Sequence, residues 1–320
     1  MTQEEKIIRP CIYCGADSYT PIFEYTYDFL AEVRQHDIED LNRKGWTKDT
    51  TETIVKCNEC GCHYIRDVFL RFQDSGMRIS DEKAKEIWLR NDSHKNMDAR
   101  DYESWLVRNI VVLATEEMKR DIKFLDYGAG SGVASNLARA IGVRDVFAYE
   151  PFAAYGPEKM AMFNFPGIFA SRSWEEVKKF GPFDAVIFQS AVEHIADPRK
   201  ELETIFSNMT KGGYLFVNNP FMDIEREITA LRSAKSIVKS DVISHYHPGH
   251  LNYMTPRQFI TPLKEIGFEI TPAVVNHAPA PATKWHLRKH LVRTAKKFVR
   301  SLLNRLNIQY RRQIFIVRKR

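Results

Sequence analysis

Apolar and polar positions settle into a regular rhythm from about residue 121 onward. Short apolar runs at 123–126, 145–149, 167–170, 183–188, 214–217 and 268–275 have the length and β-branched or aromatic content of strands. Segments of helical spacing separate most of them, which predicts βαβ units and a mainly parallel sheet covered on both faces. Residues 80–120 read as helix-rich: Ser80-Asp81 resembles a capped start, with Lys83 where a capping box would place Glu. Further on, Tyr102, Trp105, Leu106, Ile110 and Leu113 recur at helical spacing. Most of these pack; Tyr102 or Trp105 could line a ligand pocket, since this helix leads into a glycine-rich loop. Near the end, Leu287, Leu291, Ala295, Phe298, Leu302 and Leu306 form one apolar stripe with basic residues opposite. This predicts a long basic helix over 284–306, followed by a closing strand at 312–318.

The first 75 residues have a different pattern. Five cysteines, at 11, 14, 57, 60 and 62, all lie there, and four of them form two Cys-x-x-Cys-Gly knuckles. Two thiolates can approach one ion from such a tight turn, and the glycine permits the left-handed conformation that closes it. Cys11, Cys14, Cys57 and Cys60 are therefore the expected ligands of one structural zinc, with strands predicted at 19–23 and 62–68. The bland alternative is two chance pairs, or a redox thiol pair. Cys62 and His63 are spare donors, with Cys62 placed in the following strand. The 42 residues between the knuckles exceed the ~15–20 usual in such ribbons, so 24–51 reads as an insertion, helical around 27–41.

Composition sharpens this picture in one respect. The net charge of +6 divides unevenly: 284–320 holds 13 Lys and Arg and no Asp or Glu, leaving −7 for the rest (+6 less +13). A mildly acidic body with a basic tail suggests a polyanionic partner or an anionic membrane surface. No apolar run reaches the ~18 residues of a membrane span, and the N-terminus does not resemble a signal peptide. A cytoplasmic protein is expected, and cysteines there favour metal over disulfides.

The chemistry centres on Asp126-Tyr127-Gly128-Ala129-Gly130-Ser131-Gly132, a strand end, a tight turn and a helix start. A dinucleotide fingerprint would place its third glycine at 133, which is Val. A carboxylate at Asp126 would repel a pyrophosphate and suits a ligand carrying an ammonium and a sulfonium. Glu150 ends the next strand, 22 residues after Gly128, where a carboxylate can accept hydrogen bonds from both ribose hydroxyls.

On these residues, 121–320 resembles the class I S-adenosylmethionine-dependent methyltransferases. The family pattern Asp-x-Gly-x-Gly-x-Gly is met at Asp126, Gly128, Gly130 and Gly132, and its ribose-binding acid at Glu150. The fourth-strand motif corresponds to 183–198, ending Glu193-His194-Ile195-Ala196-Asp197-Pro198, and Lys211-Gly212-Gly213 to the turn into the fifth strand. The resemblance implies an α/β, Rossmann-like fold: a mainly parallel seven-stranded sheet with an antiparallel last strand, preceded by a small zinc-ribbon domain. The domains expected are 1–75 (ribbon with insertion), 76–120 (helical cap or linker) and 121–320 (methyltransferase, including the basic helix). It also implies that Gly128, Gly130, Gln189 and Ser190 lie around the methionine end of the cofactor. The adenine would lie near 171–174, unless Trp174 packs under the sheet.

Paired cysteine knuckles ahead of this domain, together with His250-Leu251-Asn252-Tyr253-Met254-Thr255-Pro256, are similar to deoxysugar C-methyltransferases and relatives from surface-polysaccharide clusters. The large C-terminal sugar-nucleotide domain of the C-methyltransferases is missing. An O-methyltransferase acting on a sugar of a glycan, glycolipid or nucleotide-sugar is therefore expected. A hydroxyl acceptor needs a base. His245 or His247 is the first candidate, then His194, with Glu193 beside it and His250 shaping the pocket; each could equally be a structural histidine. Glu193-His194 with the histidine cluster could instead hold a catalytic metal. The basic helix would rest on the inner face of an anionic membrane, or simply face the core. The second reading is an RNA methyltransferase using ribbon and tail on phosphates. A third, a degenerate fold serving as a binding module, sits badly with the intact set from Asp126 to Glu150.

Overall fold

A computed structural model of the chain describes residues 6–33, 42, 46–69, 97–130, 132–151, 167–219, 224–225, 228–229, 250–271 and 313–320. The predicted basic helix at 284–306, the start at 80–96 and both His245 and His247 lie outside the described residues.

Strands β6 (Lys123–Tyr127), β7 (Asp145–Tyr149), β8 (Ile168–Ser171), β9 (Phe183–Gln189) and β10 (Met209–Asn219) run parallel. With β12 (Phe268–Thr271) and β13 (Gln313–Lys319) they form a seven-stranded sheet, ordered β12-β13-β10-β9-β6-β7-β8. The closing strand β13 is antiparallel to both its neighbours. From β6 the chain moves outward through β7 and β8, then returns to β9 on the other side of β6. That reversal opens a crevice at the carboxyl ends of β6 and β9, where ligands bind in such sheets.

Successive strand residues point to opposite faces, and the core divides accordingly. Phe124, Ala185, Ile187 and Phe216 pack against Leu106, Val107, Ile110 and Ala114 of helix α2 (Met97–Met118). Their neighbours Leu125, Val186, Phe188 and Leu215 pack on the other face against Leu202 and Ile205 of α5 (Pro198–Ser207). Phe259 and Leu263 of α6 (Pro256–Ile266) complete that layer. Two-sided burial explains why β9 is an apolar run but for Asp184 and the terminal Gln189. That carboxylate is held by both guanidinium nitrogens of Arg120 and by the amide of Lys123 at 2.8–2.9 Å.

The cysteine-rich part builds a second sheet from β2 (Tyr19–Thr26), β3 (Thr51–Cys57) and β4 (His63–Ile65). Its fourth strand is β11 (Asn252–Tyr253), far along the chain, which pairs with His63 and Tyr64 of β4. Separately, β1 (Lys6–Ile8) pairs with β5 (Asp67–Phe69).

The strand predicted at 62–68 is divided at Arg66, and Cys62 stands just before β4, its carbonyl accepting from the Cys57 amide at 2.9 Å. Strand β2 runs to Thr26 rather than 23, and α1 (Tyr27–Val33) then opens the insertion. Strand β3 was not anticipated, because Glu52 and Lys56 interrupt its apolar pattern; Glu52 is nevertheless buried. Strand β10 outruns the predicted 214–217 because it is paired on both sides. At Gly213 a Cβ would meet the Thr210 carbonyl at 2.9 Å and that of Asp184 at 3.0 Å, so the irregular start of β10 needs glycine.

Candidate active site

The glycine loop hangs from the neighbouring strand. Both the Gly128 and Ala129 amides donate to the Tyr149 carbonyl, at 2.8 and 3.0 Å. Gly128, Gly130 and Gly132 all have positive φ (74°, 53° and 75°), a conformation that side chains resist. At Gly128 a Cβ would also come within 3.2 Å of Ala191, whereas Gly130 faces open space. Gly132 begins α3 (Val133–Ala140) and has no side chain to cap it. Asp126 supplies that cap from outside: its Oδ2 accepts from the Ser135 amide at 3.0 Å and hydroxyl at 2.7 Å. One oxygen of Asp126 thus serves the loop's own architecture, which the sequence had assigned to a cationic ligand.

Glu150, 3% exposed, reaches back from the end of β7, and its Oε2 accepts from the Gly130 amide at 2.6 Å. The two acids and three glycines therefore form one connected unit. Gly-lined backbone and a buried carboxylate at the mouth of the crevice suit S-adenosylmethionine, with Glu150 able to hold its ribose. Trp174 takes the packing alternative: it lies edge-on to Tyr127 and Tyr149, with ring centroids 5.2 and 5.5 Å away.

On the other side of the crevice, Gln189 is half-buried at the end of β9. Ser190 follows with φ 48°, a left-handed conformation unusual outside glycine, held by the hydrogen bond its amide donates to the Asn218 carbonyl at 2.7 Å. Asn219, one residue beyond Asn218, is 1% exposed, and its side-chain amide has no hydrogen-bond partner among the described residues. A buried, unsatisfied amide at a strand end is a costly arrangement that a polar ligand can relieve. The sequence reading passed over Asn219; a polar pair ending an apolar strand was the available signal.

Glu193 and His194 occupy a one-turn 3-10 helix (Val192–His194) after β9. His250 meets them from the segment that opens β11: the imidazoles of His194 and His250 are 4.7 Å apart, edge to face. The Leu251 amide donates to the Glu193 carbonyl at 2.6 Å, and Asn252 Nδ2 donates to the carbonyls of Val192 and Ile195, both at 2.7 Å. Among the sequence-nominated catalytic residues, Glu193, His194 and His250 are thus brought together.

The four knuckle cysteines also converge. Sγ atoms of Cys11 and Cys60 are 3.5 Å apart, as are those of Cys14 and Cys57, and all four lie within 4.8 Å of one another. Tetrahedral thiolates bound at 2.3 Å would be about 3.8 Å apart, so the set fits zinc as a closed structural site. The turns match: Gly15 and Gly61, at φ 75° and 71°, donate to the carbonyls of Cys11 and Cys57. The hydrogen bond with Cys60, and then burial, push the Cys11 thiol up, a proton that a cation would displace.

Comparison with known proteins places this geometry. A family model described as "Methyltransferase domain" matches residues 80–273, more than half of the chain. No curated protein matches significantly. Among solved structures, the plantazolicin methyltransferase BpumL, in complex with a monoazolic desmethylPZN analog and SAH, is 12% identical. That match covers 75% of this chain and 91% of that one, at TM-score 0.47. A putative methyltransferase from Bacillus halodurans C-125 is 18% identical, covering 49% and 69%, at 0.37. The Haloferax volcanii complex between the Trm112 methyltransferase activator and a putative methyltransferase matches at 15%, covering 72% and 96%, at 0.43. At such identities and scores these likenesses do not bear on the acceptor, and the assignment rests on the family match. The chain belongs to the methyltransferase-domain family and is a methyltransferase, with a glycine-and-acid cradle suited to S-adenosylmethionine.

Proposed function

We propose that the protein O-methylates a sugar hydroxyl of a glycan, glycolipid or nucleotide-sugar. One observation carries this reading. Of the two segments that resemble sugar methyltransferases, 250–256 carries β11, which pairs with β4, the strand that directly follows the second cysteine knuckle, and Gln258 Nε2 donates to the carbonyl of that knuckle's Gly61 at 2.8 Å. Parts that resemble one branch separately thus meet in one unit beside the crevice.

When bound, S-adenosylmethionine would supply a sulfonium methyl for transfer to the acceptor oxygen, and the hydroxyl proton would pass to a base of this chain. The chain mainly contributes alignment of donor and acceptor. In this reading Gly128, Gly130, Gly132, Glu150, Gln189 and Ser190 hold the cofactor, and Asp126 shapes their loop. Glu193, His194, His250 and the buried amide of Asn219 form the acceptor end, where polar groups select hydroxyls. The base is His245 or His247, five and three positions before His250 in the sequence. The zinc ribbon braces the acceptor end. The basic segment at 284–306 would hold the protein against an anionic membrane that carries the acceptor.

The 13 basic residues with no acid in 284–320 also favour a second reading, an RNA methyltransferase. A transfer assay with radiolabelled methyl donor over nucleotide-sugars, lipid-linked glycans and RNA separates the two. Label in the glycans supports the first; label in RNA alone replaces it.

A further inference from the structure

Glu193, His194 and His250 offer two imidazoles and a carboxylate whose ligand atoms all lie within 4.8 Å of one another. We propose that these three residues bind a divalent first-row transition ion, separate from the zinc of the cysteines, at the acceptor end of the crevice.

Three features carry this. The donor set is that of open metal sites, in which three protein ligands leave positions for outside oxygen. Glu193 is 3% exposed, and a buried carboxylate beside two imidazoles is a setting in which charge is paired or coordinates a metal. Its Oε1 stands 4.0 Å from His194 Nε2, at the outer limit of an ion pair. Ligands bound at about 2.1 Å in tetrahedral angles are about 3.4 Å apart, so imidazole rotation closes the difference.

The third feature is the backbone. A ligand triad drawn from two segments needs their register fixed, and here it is fixed three times. Leu251 is bonded to the Glu193 carbonyl, Asn252 to those of Val192 and Ile195, and Arg9 Nη2 to the Leu251 carbonyl at 2.6 Å. His250 therefore cannot slide away from Glu193 without breaking the ribbon's hold on this segment. Such preorganisation is what a metal site requires of its surroundings.

The use of this ion rests on the methyl-transfer reading. An acceptor hydroxyl sharing its coordination sphere would lose its proton more readily to the base, His245 or His247, which eases attack on the methyl group. Two nitrogens among three ligands favour Mn²⁺, Co²⁺, Ni²⁺ or Zn²⁺ over Mg²⁺.

The test is a titration of the full-length, zinc-loaded protein with Co²⁺, following visible absorption and metal content. Expected is one further equivalent per chain, with affinity lowered about tenfold or more in His194→Ala and in His250→Ala. Retained cysteine zinc and S-adenosylmethionine binding in the same samples report an intact fold. His250→Asn provides a milder variant should the alanines fail to fold. No second equivalent at saturating Co²⁺ overturns the proposal, as does one whose affinity these substitutions leave unchanged. Loss of cofactor binding by the unaltered protein would count instead against methyl transfer, so the two failures are distinguishable.

Discussion

The guanidinium of Arg9 donates to the carbonyl of Leu251, 242 positions along the chain, at 2.6 Å. The same side chain donates to the carbonyls of Ile65 and Ala196, also at 2.6 Å. One buried cation thus ties the ribbon strand β4, the loop after β9 and the segment bearing His250. Burial lowers its pKa to about 10, which leaves it charged at neutral pH.

Arg9→Ala removes three hydrogen bonds to carbonyls, of which that of Leu251 keeps the Ile65 amide at 2.9 Å. A loss of about 3 kcal/mol in unfolding free energy is expected, measured by urea denaturation. Methyl transfer should fall more than cofactor affinity, because the glycine loop makes none of these bonds. Equal loss of both would argue against a specific link to the acceptor end.

Removing the ribbon's metal should act at a distance. Cys57→Ser, or chelation, should eliminate one zinc per chain, lower the melting temperature and reduce turnover, since β4 carries β11 and so His250. Metal analysis with scanning calorimetry checks this. Unaltered stability after Cys57→Ser would refute a structural zinc.

Glu150→Gln weakens the charged acceptor that now takes the Gly130 amide and is poised for ribose. Cofactor affinity should drop about tenfold or more in isothermal titration, with little change in folding. Gly128→Ala should reduce it too, through φ 74° and the 3.2 Å approach to Ala191.

Glu52, buried on β3, has its carboxyl pushed up to about 8 from 4.5 by burial, opposed by the charge of Arg9. Between those values the folded protein holds a proton that the unfolded chain has released. Stability is therefore fully present below about pH 4.5 and is lost as pH rises toward about 8. Glu52→Gln should remove this slope, giving a gain on the order of a few kcal/mol near pH 8 and almost none near pH 4.5. Denaturation across pH measures it.

Much of the sheet and the cofactor end was legible in the chain. Strands β6, β7 and β9 are apolar runs because both faces are buried, and the glycine loop advertises itself because positive φ is a local demand met by Gly128, Gly130 and Gly132. The same holds for the knuckles, where ligand spacing and a following glycine lie within five residues. Strand β3 is hidden by Glu52 and Lys56, whose polarity reflects an interior acid and an ion pair with Glu225 outside the sheet rather than a loop.

The fold class, the cysteine set and the acid-and-glycine cradle are legible from the chain because each is assembled from short local patterns: apolar runs, knuckles and a glycine turn. Tertiary structure alone decided that Asp126 caps α3, that Arg9 holds Leu251, and that Glu193, His194 and His250 meet. Those relations join segments whose spacing along the chain carries no periodic signal. The Asp126 cap needs only the turn between β6 and α3, whereas strand pairing and the return of β11 to the ribbon bring the others together.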